Sequence, residues 1–222
     1  MRQFGLFAKF WAPGEVKTRL AAAIGAESAA RLHAAFVRTL LARFVETADR
    51  RVLAFTPPER RSEFEAVVPC PWRLEPQAAG DLGRRMQHFF ESAFAVGAEH
   101  VVLIGSDSPN LPVSFVKAAF EQLQRRPVVL GPASDGGYYL VGAAHRPPPI
   151  FESIAWSRPS VFAETVARLH AAGLDYGVLP AWYDVDTHED LVRLNAELSG
   201  AGDLIGLEEL ACEVDRALAS AS

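Results

Sequence analysis

Lysine is nearly missing from this chain: of 22 cationic residues only Lys9, Lys17 and Lys117 are lysine, and the rest are arginine. Cysteine is scarcer still. Cys70 and Cys212 stand far apart with no Cys/His cluster around them, which excludes a disulfide framework and a zinc signature and suits a reducing cytoplasm. No apolar run reaches roughly eighteen residues, and only about five apolar residues precede Lys9, so neither a membrane span nor a secretory leader is expected. Positive charge is in deficit overall. A net charge of −5 leaves no general basic surface, and nucleic acid is not an expected partner. Half of the 222 residues are hydrophobic and composition shows no break, which bounds the chain to one sizeable α/β core.

Against that background the acidic turns stand out. The apolar run Val101-Val102-Leu103-Ile104 leads through Gly105 into Ser106-Asp107-Ser108-Pro109-Asn110, so a carboxylate is delivered to the end of a strand. In open α/β sheets ligands bind outside the carboxyl ends of such strands, which makes Asp107 a candidate functional residue; its structural alternative is to cap a helix beginning near Val113. The N-terminal strand around Phe4 to Ala8 is followed by Lys9 and a loop holding Lys17 and Arg19. Two of the three lysines therefore sit in one loop before a helix, where flexible point charges and free N–H groups suit a polyphosphate. The spacing is neither the Walker phosphate loop nor Gly-x-Gly-x-x-Gly.

Two further segments carry chemistry. A strand at Val128-Val129-Leu130 ends in Gly131-Pro132-Ala133-Ser134-Asp135-Gly136-Gly137-Tyr138-Tyr139, a tight turn into another strand whose two tyrosines point to opposite faces. Near the C-terminus, alternation places Asp184 and Asp186 on one face of an extended segment, while Thr187 caps a helix with Glu189 and Asp190 in its first turn. This Asp-x-Asp-Thr resembles the nucleophile motif of haloacid dehalogenase phosphatases, but its threonine comes one position early and it does not follow the first strand. Helical patterns occupy residues 26–47, 59–67, 82–96, 160–172 and 204–219, with a hinge-like Ser-Gly-Ala-Gly-Asp stretch from Ser199. We expect a domain over residues 1–198 and a hinge plus terminal helix over 199–222. Whether that helix packs on the domain or on a second subunit is not decided by sequence.

Taken in order, Lys9 with Pro13-Gly14-Glu15-Val16-Lys17-Thr18-Arg19-Leu20, then Gly80-Asp81-Leu82-Gly83-Arg84-Arg85-Met86, Gly105-Ser106-Asp107-Ser108-Pro109, Gly131-Pro132-Ala133 with Asp135-Gly136-Gly137-Tyr138-Tyr139-Leu140, Trp156-Ser157 and Asp184-Val185-Asp186-Thr187 resemble the bacterial DUF2064 proteins over roughly residues 3–198. That resemblance implies a single-domain α/β GT-A-like fold, a mainly parallel sheet sandwiched by helices, similar in layout to the molybdenum-cofactor and phospholactate guanylyltransferases. It implies a glycosyl- or nucleotidyltransferase that binds a nucleotide sugar or nucleoside triphosphate and a small acceptor. One Mg²⁺ or Mn²⁺ would sit on Asp107 and Asp186, with Asp184 as substitute for the latter. Asp135 would be a third ligand or would position the acceptor; Lys9, Lys17 and Arg19 would neutralise phosphate, and Gln77 and Gly80 would face the base. Arg84 and Arg85 lie about 100° apart on a helix, so only one can enter the site, and Arg84 is the one we assign. Trp156, Tyr138 and Trp182 are candidates for stacking on the acceptor. The turn at Asp107 lacks the second carboxylate of the Asp-x-Asp motif common in sugar transferases. A second reading is therefore a nucleotide-binding module without catalysis of its own that acts with a partner.

Overall fold

Strands and helices alternate from the first residues. In the computed structural model, which describes residues 1–152, 154–156, 158–200 and 206–220, β1 (Arg2–Lys9) leads to α1 (Thr18–Ile24) and α2 (Ala26–Arg43). β2 (Arg50–Thr56), a 3-10 turn at Pro58–Arg60, α3 (Arg61–Glu65), β3 (Arg73–Pro76) and α4 (Leu82–Ala95) follow. Then come β4 (His100–Ile104), α5 (Val113–Leu123), β5 (Val128–Pro132) and β6 (Tyr138–Ala144). The chain continues through α6 (Val161–Ala171), β7 (Tyr176–Val178), α7 (His188–Gly200) and α8 (Glu208–Ala219). Ser157 of the Trp-Ser pair and positions 201–203 of the expected hinge lie outside the described residues.

The seven strands form one sheet in the order β3-β2-β1-β4-β6-β5-β7. All neighbours are parallel except that β6 runs antiparallel to both β4 and β5. The expectation of a mainly parallel α/β sheet with helices on both faces is met. Two strands that the pattern reading passed over, β3 and β7, are short and lie at the edges, where pairing and not alternation decides their state. Because β6 is reversed, Tyr138 at its start stands beside the carboxyl end of β4, with Leu140 opposite Ile104. The antiparallel strand thus delivers the Asp135 turn to the same edge of the sheet as Asp107.

Alternation along the strands divides the core. Phe4, Leu6, Leu53 and Phe55 face α2 and α5, whereas Val52, Val101 and Leu103 pack with Phe89 and Phe90 of α4 and Leu169 of α6. Gly5 lets α4 approach the sheet closely: a Cβ there would meet the Phe89 ring at 2.2 Å. A third apolar cluster joins Leu20, Leu32 and Phe36 to Leu191 and Leu194 of α7 and to Leu210 and Val214 of α8. The amphipathic face of α8 is covered by this same chain. Arg38 and Glu209 pair across that contact.

Candidate functional site

The carboxyl ends of β1 and β4 and the start of β6 open onto a cleft of about 540 Å³. It holds a group of charges drawn from three separate segments. Lys17 occupies the left-handed region, φ 48° and ψ 42°, immediately before α1, and its side chain is 2% exposed. From there its ammonium reaches the Asp107 carboxylate and, at 2.9 Å, Asp186 Oδ1, while standing 5.4 Å from the centre of the Phe36 ring. Burial alone would drive the Lys17 pKa down; the two carboxylates outweigh it and hold the value above that of an ordinary lysine. Asp107 shows the converse. Burial would raise its pKa, but Lys17 and His33 hold the carboxyl below the usual range, so the pair stays ionised at neutral pH.

Asp107 does not cap α5, whose N-cap is Pro112. Its backbone instead anchors the C-terminal motif, because its carbonyl accepts the Val185 N–H at 2.9 Å. That single bond sets Asp184 and Asp186 beside Asp107. Asp184 accepts the Ser108 hydroxyl at 2.7 Å, and its carboxyl is pushed up to about 6, first by burial and then by the facing charge of Asp107. Asp186 binds Lys17 through one oxygen and Arg19 Nη2, at 2.7 Å, through the other. The start of α7 fixes its backbone: the Asp190 carboxylate accepts from the N–H groups of Asp186 and Thr187, at 3.1 and 2.8 Å, while Thr187 Oγ1 receives the Asp190 N–H at 3.3 Å. This is a reciprocal cap. Thr187 and Asp190 cap the helix as their types require, and Asp184 and Asp186 are left facing the cleft.

The remaining sequence candidates separate clearly. Lys9 lines the cleft, donating to the Glu15 carbonyl at 2.8 Å. Arg19 is 66% exposed and reaches the site only through Asp186. Asp135 lines the cleft with its carboxylate held by the Gly137 N–H at 2.9 Å. Gln77 lines it too, but its amide is engaged with the Ala54 carbonyl at 2.9 Å and with Arg85 at 3.2 Å, so its free capacity is small. Arg85, not Arg84, turns into the cleft; Arg84 faces a separate surface groove with Gln87 and Glu91. The assignment of Arg84 is corrected by the phase of α4. Gly80, at φ 115°, shapes the turn and passes its carbonyl to Arg85 Nε. Of the aromatic residues, Phe7, Tyr138, Tyr139 and Trp156 line the cleft, with Tyr139 donating its hydroxyl to the Pro180 carbonyl, while Trp182 packs edge-on against Phe115.

Three residues at the site had no sequence signal or an overlooked one. His33, 3% exposed on α2, places Nε2 3.1 Å from the Lys9 carbonyl, so that nitrogen must be the donor; burial lowers the ring's pKa. A polar ring within the apolar stripe of Leu32 and Phe36 was the available clue. Ser108 acts only through Asp184. Arg158 precedes α6 and lines the cleft, a placement that no local pattern encodes.

A family model described as an uncharacterised protein conserved in bacteria, DUF2064, matches residues 39–158, more than half of the chain. Against curated proteins the chain finds no match. Among solved structures it is similar to a candidate nucleotide-diphospho-sugar transferase from Desulfovibrio desulfuricans, at 32% identity and TM-score 0.92, covering 99% of this chain and 96% of that one. It shares its fold with a CMP-2-keto-3-deoxy-manno-octonic acid synthetase complexed with CTP, at 12% identity and TM-score 0.57, covering 89% and 98%. A cytidylyltransferase from Leptospira borgpetersenii is similar at 12% identity and TM-score 0.58, covering 97% and 92%. With the family match, the 32% relative and the ordered motifs around one cleft, the chain belongs to the DUF2064 family.

Proposed function

We propose that this protein is a metal-dependent glycosyl- or nucleotidyltransferase that binds a nucleotide sugar or nucleoside triphosphate and transfers to a small acceptor. The observation that carries the reading is the convergence of Asp107 and Asp186 on one buried ammonium at the carboxyl ends of the strands, with Asp184 held beside them by Ser108. Asp107 and Asp186 share one cation and are hard-oxygen donors of the kind Mg²⁺ or Mn²⁺ takes, with phosphate oxygens and water filling the other positions, since no group of three His, Cys, Asp or Glu among the described residues could hold a metal by itself. Asp107 and Asp186 would hold it, and when bound it supplies charge neutralisation at phosphate oxygens. Lys17 serves by holding those two acids in register, while Lys9 and Arg19, at the rim, carry the compensating charge for a polyphosphate. Arg85 and Gln77 lie along the wall beside Thr56, where a base would be read. Asp135 faces the acceptor. The relative from Desulfovibrio and the CTP-bound neighbour support a nucleotide ligand.

The bridging ammonium also favours a second reading, in which Lys17 satisfies the acid pair and nucleotide binds without metal to a module that acts with a partner. Calorimetric titration of nucleotides and nucleotide sugars with and without Mg²⁺ separates the two. The transferase reading expects metal-linked binding that Asp107→Asn abolishes; equal affinity with and without metal in wild type and variant would leave the binding module in its place.

A further inference from the structure

Four cationic side chains line the cleft and three are engaged: Lys9 with Glu15, Lys17 with Asp107 and Asp186, Arg85 with the Gly80 carbonyl and Gln77. Arg158 alone has neither an ion-pair nor a hydrogen-bond partner among the described residues. Tyr138 and Trp156, which line the same cleft, meet edge to face with centroids 6.4 Å apart and planes at 86°. Both belong to the apolar cluster on the α4 and α6 side of the sheet, whereas Lys17 lies over Phe36 of α2.

The placement of Arg158 is built into the fold. Phe162 N–H donates to the Gly136 carbonyl at 2.9 Å, and a Cβ on Gly136, whose φ is +90°, would lie 2.1 Å from the Pro159 carbonyl oxygen. The Asp135-Gly136-Gly137 turn is therefore glycine-shaped to receive the 158–160 turn, and it fixes Arg158 relative to Asp135. A guanidinium without a partner among the described residues, in a cleft lined also by an aromatic corner, matches a planar or tetrahedral oxyanion attached to an apolar body.

We propose that this corner is the acceptor subsite, and that the acceptor is a small molecule carrying an anionic group, carboxylate or phosphate, which Arg158 binds while Tyr138 and Trp156 cover its apolar body. The inference rests on the transferase reading, but its test does not stand or fall with it. The full chain is titrated with phenyl phosphate, phenylacetate, inorganic phosphate and, as a neutral counterpart, benzyl alcohol, in wild type, Arg158→Gln and Arg19→Ala. GTP, CTP and UDP-glucose with Mg²⁺ are titrated in parallel. At least one aryl anion is expected to bind wild type and to lose about ten- to a hundredfold in affinity in Arg158→Gln, with nucleotide affinity unchanged there and benzyl alcohol too weak to register. The tighter of phenyl phosphate and phenylacetate identifies the anionic group. Gly136→Ala, which displaces the 158–160 turn and keeps the guanidinium, is expected to weaken the same probe. The proposal is overturned if no anion binds, if benzyl alcohol binds as well as the anions, if the loss follows Arg19→Ala instead, or if Arg158→Gln costs nucleotide as much as aryl anion. Arg158-dependent anion binding with no nucleotide bound at all would sink the transferase reading alone.

Discussion

At the scale of single residues, the decisive group is an ammonium whose role is opposite to what lysine in a phosphate loop suggests. Lys17 is 2% exposed and bridges two acids, so Lys17→Ala leaves like charges facing one another and is expected to cost about 2–3 kcal/mol in chemical denaturation, below the full penalty for a buried pair because Asp107 is 45% exposed. Lys17→Ala combined with Asp186→Asn should regain part of that loss. Consequently Arg19→Ala by itself, with the exposed Lys117→Ala as control, is the clean probe of phosphate contact. Asp184 offers a pH signature. With its folded pKa raised from the ordinary aspartate value to about 6, the native state holds this proton more tightly than the unfolded chain, so the stability it contributes falls as pH rises from about 4 to 6. Asp184→Asn is expected to stabilise the protein by about 1–2 kcal/mol at pH 7.5 and by nothing at pH 4, measured as the difference between wild-type and variant unfolding curves.

Between elements, close approach is set by glycine. A Cβ on Gly83 in the first turn of α4 would lie 2.2 Å from the Phe151 carbonyl and 2.9 Å from the Trp156 indole. The segment bearing Trp156 therefore lies directly on α4, and its indole N–H, buried there, has no hydrogen-bond partner among the described residues. Gly83→Ala is expected to push this segment away, with a stability cost of about 1–3 kcal/mol and a shift in tryptophan emission. An unchanged spectrum would mean that the indole is held by the cleft wall and not by α4. The same contact explains why Arg85 faces the site: with Gly83 and Met86 buried, the helix phase turns Arg84 outward.

Over the whole molecule, α8 closes the third apolar cluster. Leu210 and Val214 are fully buried against residues of α1, α2 and α7, so the terminal helix packs on its own domain. Leu210→Ala is expected to lower one cooperative unfolding transition by about 2–4 kcal/mol, followed by circular dichroism and tryptophan fluorescence together. A separate early transition would instead mark residues 199–222 as a unit apart from residues 1–198. Among the described residues no helix is long and apolar enough to cross a membrane.

Much of this was legible in the residues themselves. Apolar runs and turns of proline, glycine and aspartate marked β1, β4, β5 and β6, since strand burial and turn chemistry are local. The same locality placed Asp107 and Asp135 at strand ends, set Asp184 and Asp186 on one face of an extended segment, and named Thr187 as a cap. What only the tertiary structure decided depends on distance across the sheet: the reversal of β6, the pairing of β3 and β7, and the choice of Arg85 over Arg84. The meeting of Lys17 with Asp107 and Asp186, 90 and 169 positions along the chain, belongs there too. No local pattern records which charge a buried charge will face, because the low-dielectric pocket that enforces the pairing exists only after the separate segments have converged.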